Sequence, residues 1–204
     1  KAEKITRKAT IIEPNFFEAN RNLVEILKKQ NNFKEAEIYI RKAIKLKPSS
    51  YELYLNLGDI LTKVGNLKEA EISTRKAIEI EPLCIESYSN LGGILTKVGK
   101  LKEAEIVIRK AIKLKPNFVQ AHLNLGSVLK ELGKLEEAEL ATRNAINLKP
   151  DFAEAYSNLG GLLREIGKLN ESEKYLKKAI QINPNLTIPY FLLSNSINYS
   201  KEHS

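Results

Sequence analysis

IESYSNLGGILTKVGKLKEAEIVIRKAIKLKPNF, residues Ile85–Phe118, is one period of a pattern that fills almost the whole chain. It ends around a proline, and Pro14, Pro48, Pro82, Pro116, Pro150 and Pro184 follow one another at intervals of 34 residues, with Pro189 alone outside the series. A fixed spacing of this size marks a stacked array of repeats. With the proline placed at repeat position 32, the chain divides into a half repeat at 1–16, full repeats at 17–50, 51–84, 85–118, 119–152 and 153–186, and a last segment at 187–204. The array is read as a single domain.

Within the quoted stretch, apolar or small residues fall at positions 4, 7, 8 and 11 and again at 17, 20, 24, 27 and 28. That three-and-four spacing describes two amphipathic helices, so each repeat is predicted to be a helical hairpin. Positions 7 and 11 hold leucine in every full repeat, from Leu23/Leu27 to Leu159/Leu163, and position 27 is always alanine. Gly65, Gly99, Gly133 and Gly167 stand at position 15, where the first helix must stop and a positive φ costs glycine least. The first repeat has Asn31 there, the next best residue. The residue after the proline (Asn15, Ser49, Asn117, Asp151, Asn185; Leu83 is the exception) is expected to cap the next helix.

On Tyr88, Leu91, Gly92, Leu95, Ala104, Ala111 and Pro116 the chain resembles the tetratricopeptide repeat family, and the resemblance runs through nearly all 204 residues. It implies an all-α fold, a right-handed superhelical solenoid of stacked helix-turn-helix repeats whose first helices line a concave groove. The first repeat departs from the pattern at Asn20 and Val24, and a valine at position 8 should hold its two helices further apart than glycine does. Residues 1–14 match the second half of a repeat, and the chain contains no methionine, so it is expected to be a piece of a longer protein or a processed product. Residues 187–204 read as a capping helix followed by a polar tail, Tyr199–Ser204. A half repeat at the N-terminus predicts an apolar edge and end-to-end self-association.

Composition sets further bounds. No apolar run approaches 18 residues, so no membrane span is expected. The single cysteine allows no internal disulfide, which fits a reducing, cytoplasmic setting. Cys84 is read as an apolar packing residue and His122, where other repeats have tyrosine, as another; neither histidine sits in a nucleophilic or metal-ligand arrangement. No cofactor is implied, and the chain is read as non-catalytic.

The formal charge of +8 lies largely on the second helices, where Arg41, Arg75, Arg109, Arg143 and Lys177 each follow a glutamate four residues earlier. That order supports a helix by roughly 0.2–0.5 kcal/mol per pair. It favours a solvated face over a phosphate-binding stripe. The groove positions that the resemblance implies (2, 5, 6, 9, 12 and 13) carry eight acids and seven bases with no aromatic residue, so nucleic acid is an unfavoured ligand there.

Position 6 is asparagine in every full repeat: Asn22, Asn56, Asn90, Asn124 and Asn158. An amide offers both an acceptor and a donor, so a ladder of them can read a peptide backbone in either sense. The ladder is similar to that in the repeat arm of O-linked N-acetylglucosamine transferases. A second reading stays open, in which the asparagines bond across neighbouring repeats and hold no ligand. Positions 2 and 13 lie about 16 Å apart along one helix. One lip therefore carries acids, including Glu52 and Glu86, and the other carries bases, including Lys29, Lys63, Lys97, Lys130 and Arg164. The expected function is an interaction scaffold that holds an extended protein segment. The alternatives are the substrate-recruiting arm of a larger, glycosyltransferase-like enzyme, and a nucleic-acid or anionic-surface binder that uses the basic second helices.

Overall fold

In a computed structural model the backbone is described over residues 2–202 and the side chains over 2–194. Among the described residues there are twelve α-helices and no strand. They form two compact units, residues 1–100 and 101–204. The first holds α1 (Ala2–Ile12), α2 (Phe17–Lys29), α3 (Phe33–Leu46), α4 (Tyr51–Val64), α5 (Leu67–Ile80) and α6 (Ile85–Lys97). The second holds α7 (Leu101–Leu114), α8 (Val119–Glu131), α9 (Leu135–Leu148), α10 (Ala153–Glu165), α11 (Leu169–Ile182) and α12 (Thr187–Glu202). Inside each unit every helix packs on its neighbours in sequence, and successive first helices also touch one another, α4 on α6 and α10 on both α8 and α12. Within each unit the first helices thus share one layer and the second helices another. The last helix extends past the expected start of the polar tail at Tyr199, while His203 and Ser204 lie outside the described residues.

The residues that recur at fixed repeat positions are those the core requires. The leucines at positions 7 and 11 and the alanines at position 27 are all buried. At position 15, Gly65, Gly99, Gly133 and Gly167 have φ between 73° and 88°, and Asn31 has φ 58°. The following residue closes each turn by donating its N–H to the position-11 leucine carbonyl, as in Asn66 to Leu61 at 2.9 Å and Lys168 to Leu163 at 2.8 Å. This six-to-one bond satisfies a carbonyl that the helix end would otherwise orphan.

The expected caps need correcting. Helices α2, α4, α6, α8 and α10 are preceded not by the residue after the proline but by position 34: Phe16, Ser50, Cys84, Phe118 and Phe152, none of them with a side-chain cap bond. The cause is a four-residue turn with proline second, closed for example by Phe118 N–H to the Lys115 carbonyl at 3.1 Å. Asn15, Ser49, Asn117 and Asp151 occupy its third place, where short polar residues are favoured for the turn itself. Side-chain caps do occur on α3 and α5, where Asn32 and Asn66 accept from the backbone N–H of Glu35 and Glu69.

Glycine at position 8 lets paired helices approach closely. A Cβ built on Gly58 or Gly126 would lie 2.3 Å from the hydroxyl of Thr74 or Thr142, which is itself hydrogen-bonded to the Ala70 or Ala138 carbonyl. In the first hairpin Val24 and Ile40 are both buried, and α2 meets α3 less extensively than α4 meets α5, as the valine predicts.

Candidate functional site

The first-helix layer presents the residues expected to bind. In the first unit Asn22 and Asn56 line one cleft of about 520 Å³ together with Arg21, Glu25, Glu52 and Leu53. In the second unit Asn158, Lys130 and Arg164 line another of about 580 Å³, with Ser127, Ser157, Glu131 and Glu165 on its polar side and Ile188 and Leu192 on its apolar side. Asn90, Asn124, Lys29, Lys63, Lys97 and Glu86 lie outside these two clefts.

The asparagines are not equivalent. Asn22 is exposed and Asn90 half-buried, and neither has a hydrogen bond among the described residues. Asn56 accepts from Lys28 Nζ at 2.8 Å, and Asn158 donates to Ser127 Oγ at 3.3 Å, so bonding across neighbouring repeats is realised at these two positions. Among the described residues the Asn56 NH₂ group and the Asn158 carbonyl oxygen have no partner. Asn124 accepts from Gln120 within α8 at 2.9 Å.

The lip charges divide in the same manner. Lys28 pairs with Asp59 at 3.3 Å and Lys130 with Glu165 at 3.0 Å, while Arg164 donates to the Leu192 carbonyl. Lys29, Lys63 and Lys97 are exposed and have no acidic partner among the described residues. All three belong to the first unit, as do the exposed acids Glu18, Glu52 and Glu86.

The second-helix layer carries its charge differently. The expected intrahelical pairs form at 2.6–2.9 Å, from Glu37–Arg41 to Glu173–Lys177. Sequence reasoning missed a second set that joins repeats. Arg41 reaches Glu69 at 2.5 Å, Arg109 reaches Glu137 at 2.7 Å, and Arg7 pairs with Glu35. Lys100 returns to Glu71 and Lys134 to Glu105, both at 2.9 Å. The recurrence of glutamate at position 19 in every full repeat was the available signal. The hydrogen bond from Lys134 holds Glu105 below the ordinary carboxylate range against a burial that pulls it upward, and Arg109 adds to the lowering. For Glu71 burial acts upward first, and the bonds from Lys100 and Arg75 outweigh it.

Two residues read as packing residues take those places. Cys84 is buried beside the Ser87 hydroxyl. His122 is buried, with Nε2 2.7 Å from the Pro116 carbonyl, where Tyr88 places its hydroxyl 3.0 Å from the Pro82 carbonyl. A carbonyl only accepts, so His122 carries its proton on Nε2. Asn20 makes the same bond to Pro14 at 2.9 Å, which explains how a non-aromatic residue serves in the first repeat; its buried Oδ1 is left without a donor. Among the described residues no cluster of histidine, cysteine and carboxylate groups is placed to hold a metal, and no helix is long and apolar enough to cross a membrane.

An all-α stack of helical hairpins with a polar first-helix face defines a repeat solenoid of the protein-interaction class. Family models described as tetratricopeptide repeat match residues 18–50, 51–82, 85–118, 107–140 and 153–186, and one described as TPR repeat matches 126–165, so the chain belongs to the tetratricopeptide repeat family. Its members act as protein-interaction scaffolds. Solved structures agree on the fold. The thermophilic TPR protein TTC0263 of Thermus thermophilus is 21% identical, with a TM-score of 0.79 over 89% of this chain and 98% of that one. YrrB, a TPR protein with an unusual peptide-binding site, is 23% identical, with a TM-score of 0.63 over 93% and 97%. A MamA structure is 26% identical, with a TM-score of 0.65 over 79% of this chain and 95% of that one. No protein of curated function matches the sequence.

Proposed function

We propose that the chain is a non-catalytic scaffold that holds an extended polypeptide segment on its first-helix face, with the asparagines as backbone readers. The observation that carries this reading is the cleft in the first unit, where two position-6 amides from successive first helices face one space between acidic and basic neighbours. The amides of Asn22 and Asn90 and the NH₂ group of Asn56 supply donors and acceptors suited to successive peptide groups. In the second unit Asn158, which lines the cleft there, offers the same chemistry. Glu52 and Glu86 would meet basic side chains of the bound segment, and Lys29, Lys63 and Lys97 acidic ones. The description of YrrB as having a peptide-binding site agrees with this use of the fold. A display library of unstructured peptides, selected on the chain and then measured against Asn22→Ala/Asn56→Ala/Asn90→Ala, tests it. Selected peptides should lose at least about tenfold in affinity while thermal stability hardly changes. Undiminished binding to the triple variant would refute the reading.

A further inference from the structure

Position 22 of the second helices is occupied by an exposed aliphatic residue in four successive full repeats: Ile38, Ile72, Ile106 and Leu140 are 56–68% exposed. An amphipathic helix that served only as the outer layer of a stack would place a polar residue there. In the first unit each isoleucine lies between lysines four residues to either side, Lys34–Ile38–Lys42 on α3 and Lys68–Ile72–Lys76 on α5. Residues four apart on a helix share one face. Helices α3 and α5 lie side by side, since Arg41 of one reaches Glu69 of the other at 2.5 Å. The surface is therefore an aliphatic line that crosses two helices, with a line of lysines on each side.

The lysines here differ from the arginines of the adjacent row. Arg41 is held by two glutamates, whereas Lys34 and Lys68 have no acidic partner among the described residues and Lys42 lies over the Tyr39 ring at 5.0 Å. Only Lys76 makes an ion pair, with Glu79 at 2.7 Å. The patch joins unneutralised positive charge to exposed apolar surface, and the two together specify a partner.

We propose that this face of the first unit docks an acidic amphipathic α-helix of another protein, its aliphatic ridge on Ile38 and Ile72 and its flanking carboxylates on the two lysine lines. Geometry selects a helix. Eight residues at 1.5 Å each separate the lysine lines by about 12 Å, close to the ~10–12 Å diameter of a helix with its side chains. An extended strand sends alternate side chains to opposite faces and cannot present a ridge with acids on both flanks of it. Nucleic acid would leave the isoleucines without a role, since phosphates seek only the cations. Glu35 and Glu69 stand three residues before the isoleucines on the same face, but Arg7 and Arg41 hold them, so the lysines keep the patch positive; a broad anionic bilayer would also have to cover Glu37 and Glu71 on the same two helices.

The test uses a synthetic helical peptide of about three heptads, leucine at its a and d positions and glutamate at e and g, with the full chain and fluorescence anisotropy. The chain should bind it, and Ile38→Ser/Ile72→Ser and Lys34→Glu/Lys68→Glu should each weaken binding at least about tenfold, with circular dichroism unchanged. The Asn22→Ala/Asn56→Ala/Asn90→Ala variant should bind as well as the parent, which separates this surface from the first-helix cleft. Absent binding, binding indifferent to the isoleucine variant, or binding lost in the asparagine variant would each overturn the proposal. So would sedimentation of the chain with phosphatidylserine vesicles that is lost in the isoleucine variant, an outcome assigning the patch to membranes.

Discussion

The arginines of the second helices and the lysines of the first-unit lip are both periodic and basic, yet they are in opposite situations. Arg143 is held by Glu139 at 2.7 Å, by Glu171 at 3.4 Å and by the Tyr175 hydroxyl at 2.7 Å. Lys63 has no such partner among the described residues. Periodicity alone therefore does not separate structural charge from charge available to a ligand. The separation comes from whether the neighbouring repeat supplies the opposite sign at the right height.

Both layers depend on the seam between them, and breaking it has the largest expected effect. At Gly126 a side chain would run into the Thr142 hydroxyl, which cannot swing away without giving up its 2.8 Å bond to the Ala138 carbonyl. Gly126→Val should cost about 3 kcal/mol by overpacking, measured by chemical denaturation. Val24→Gly in the first hairpin should not gain stability, because there the helices already stand apart around a filled seam. A cost for Gly126→Val below about 1 kcal/mol would mean that the close approach is not what fixes the layers.

How much of this was legible in the sequence follows from the range of each interaction. Helix number, the turns at Asn31 and the four glycines, the buried leucines and the intrahelical pairs all arise from contacts within a few residues, and a 34-residue period repeats each signal. The start of the first helices was misplaced by one residue because Asn, Ser and Asp suit both a cap and a proline turn, and only the bond from position 34 back to position 31 decides between them. The pairing of Arg41 with Glu69, and the bonds of Tyr88 and His122 to prolines six residues back, require knowing which rows face each other after stacking. At the candidate site the asparagine rows were visible, but their inequality was not: Lys28 and Ser127 engage Asn56 and Asn158 only once the neighbouring helix is in place.

The contrast between the layers sharpens under charge reversal. Arg143→Glu removes both ion pairs and places a third carboxylate beside two others, so about 1.5 kcal/mol should be lost, since exposed pairs contribute ~0.2–1 kcal/mol each and like charges repel by similar amounts. Acid should expose the same network. With Glu71, Glu105 and Glu139 held below the ordinary value of 4.5, the unfolded chain takes up protons at higher pH than the folded chain does. Their contribution is complete above that range and drains as pH falls through the lowered values. In Glu71→Gln/Glu105→Gln/Glu139→Gln the decline in unfolding free energy between about pH 5 and pH 3 should be shallower than in the parent, and an equally steep decline would deny the network its role.

The smallest stability effect belongs to the lip. Lys29→Glu, Lys63→Glu and Lys97→Glu together remove no ion pair among the described residues, so the change should stay within about 0.5 kcal/mol, the usual span for surface positions away from such features. If the lip is a docking surface, its lysines must still matter to a ligand. An acidic peptide selected on the parent chain should lose affinity for the triple variant by at least about tenfold, and the loss should shrink as salt screens both sides. A variant that is destabilised as much as Arg143→Glu would show that these lysines hold the fold after all, and would erase the distinction between the two layers. A variant that is stable and binds as before would keep the distinction in stability but remove the lip from the binding surface, leaving recognition to the asparagine amides alone.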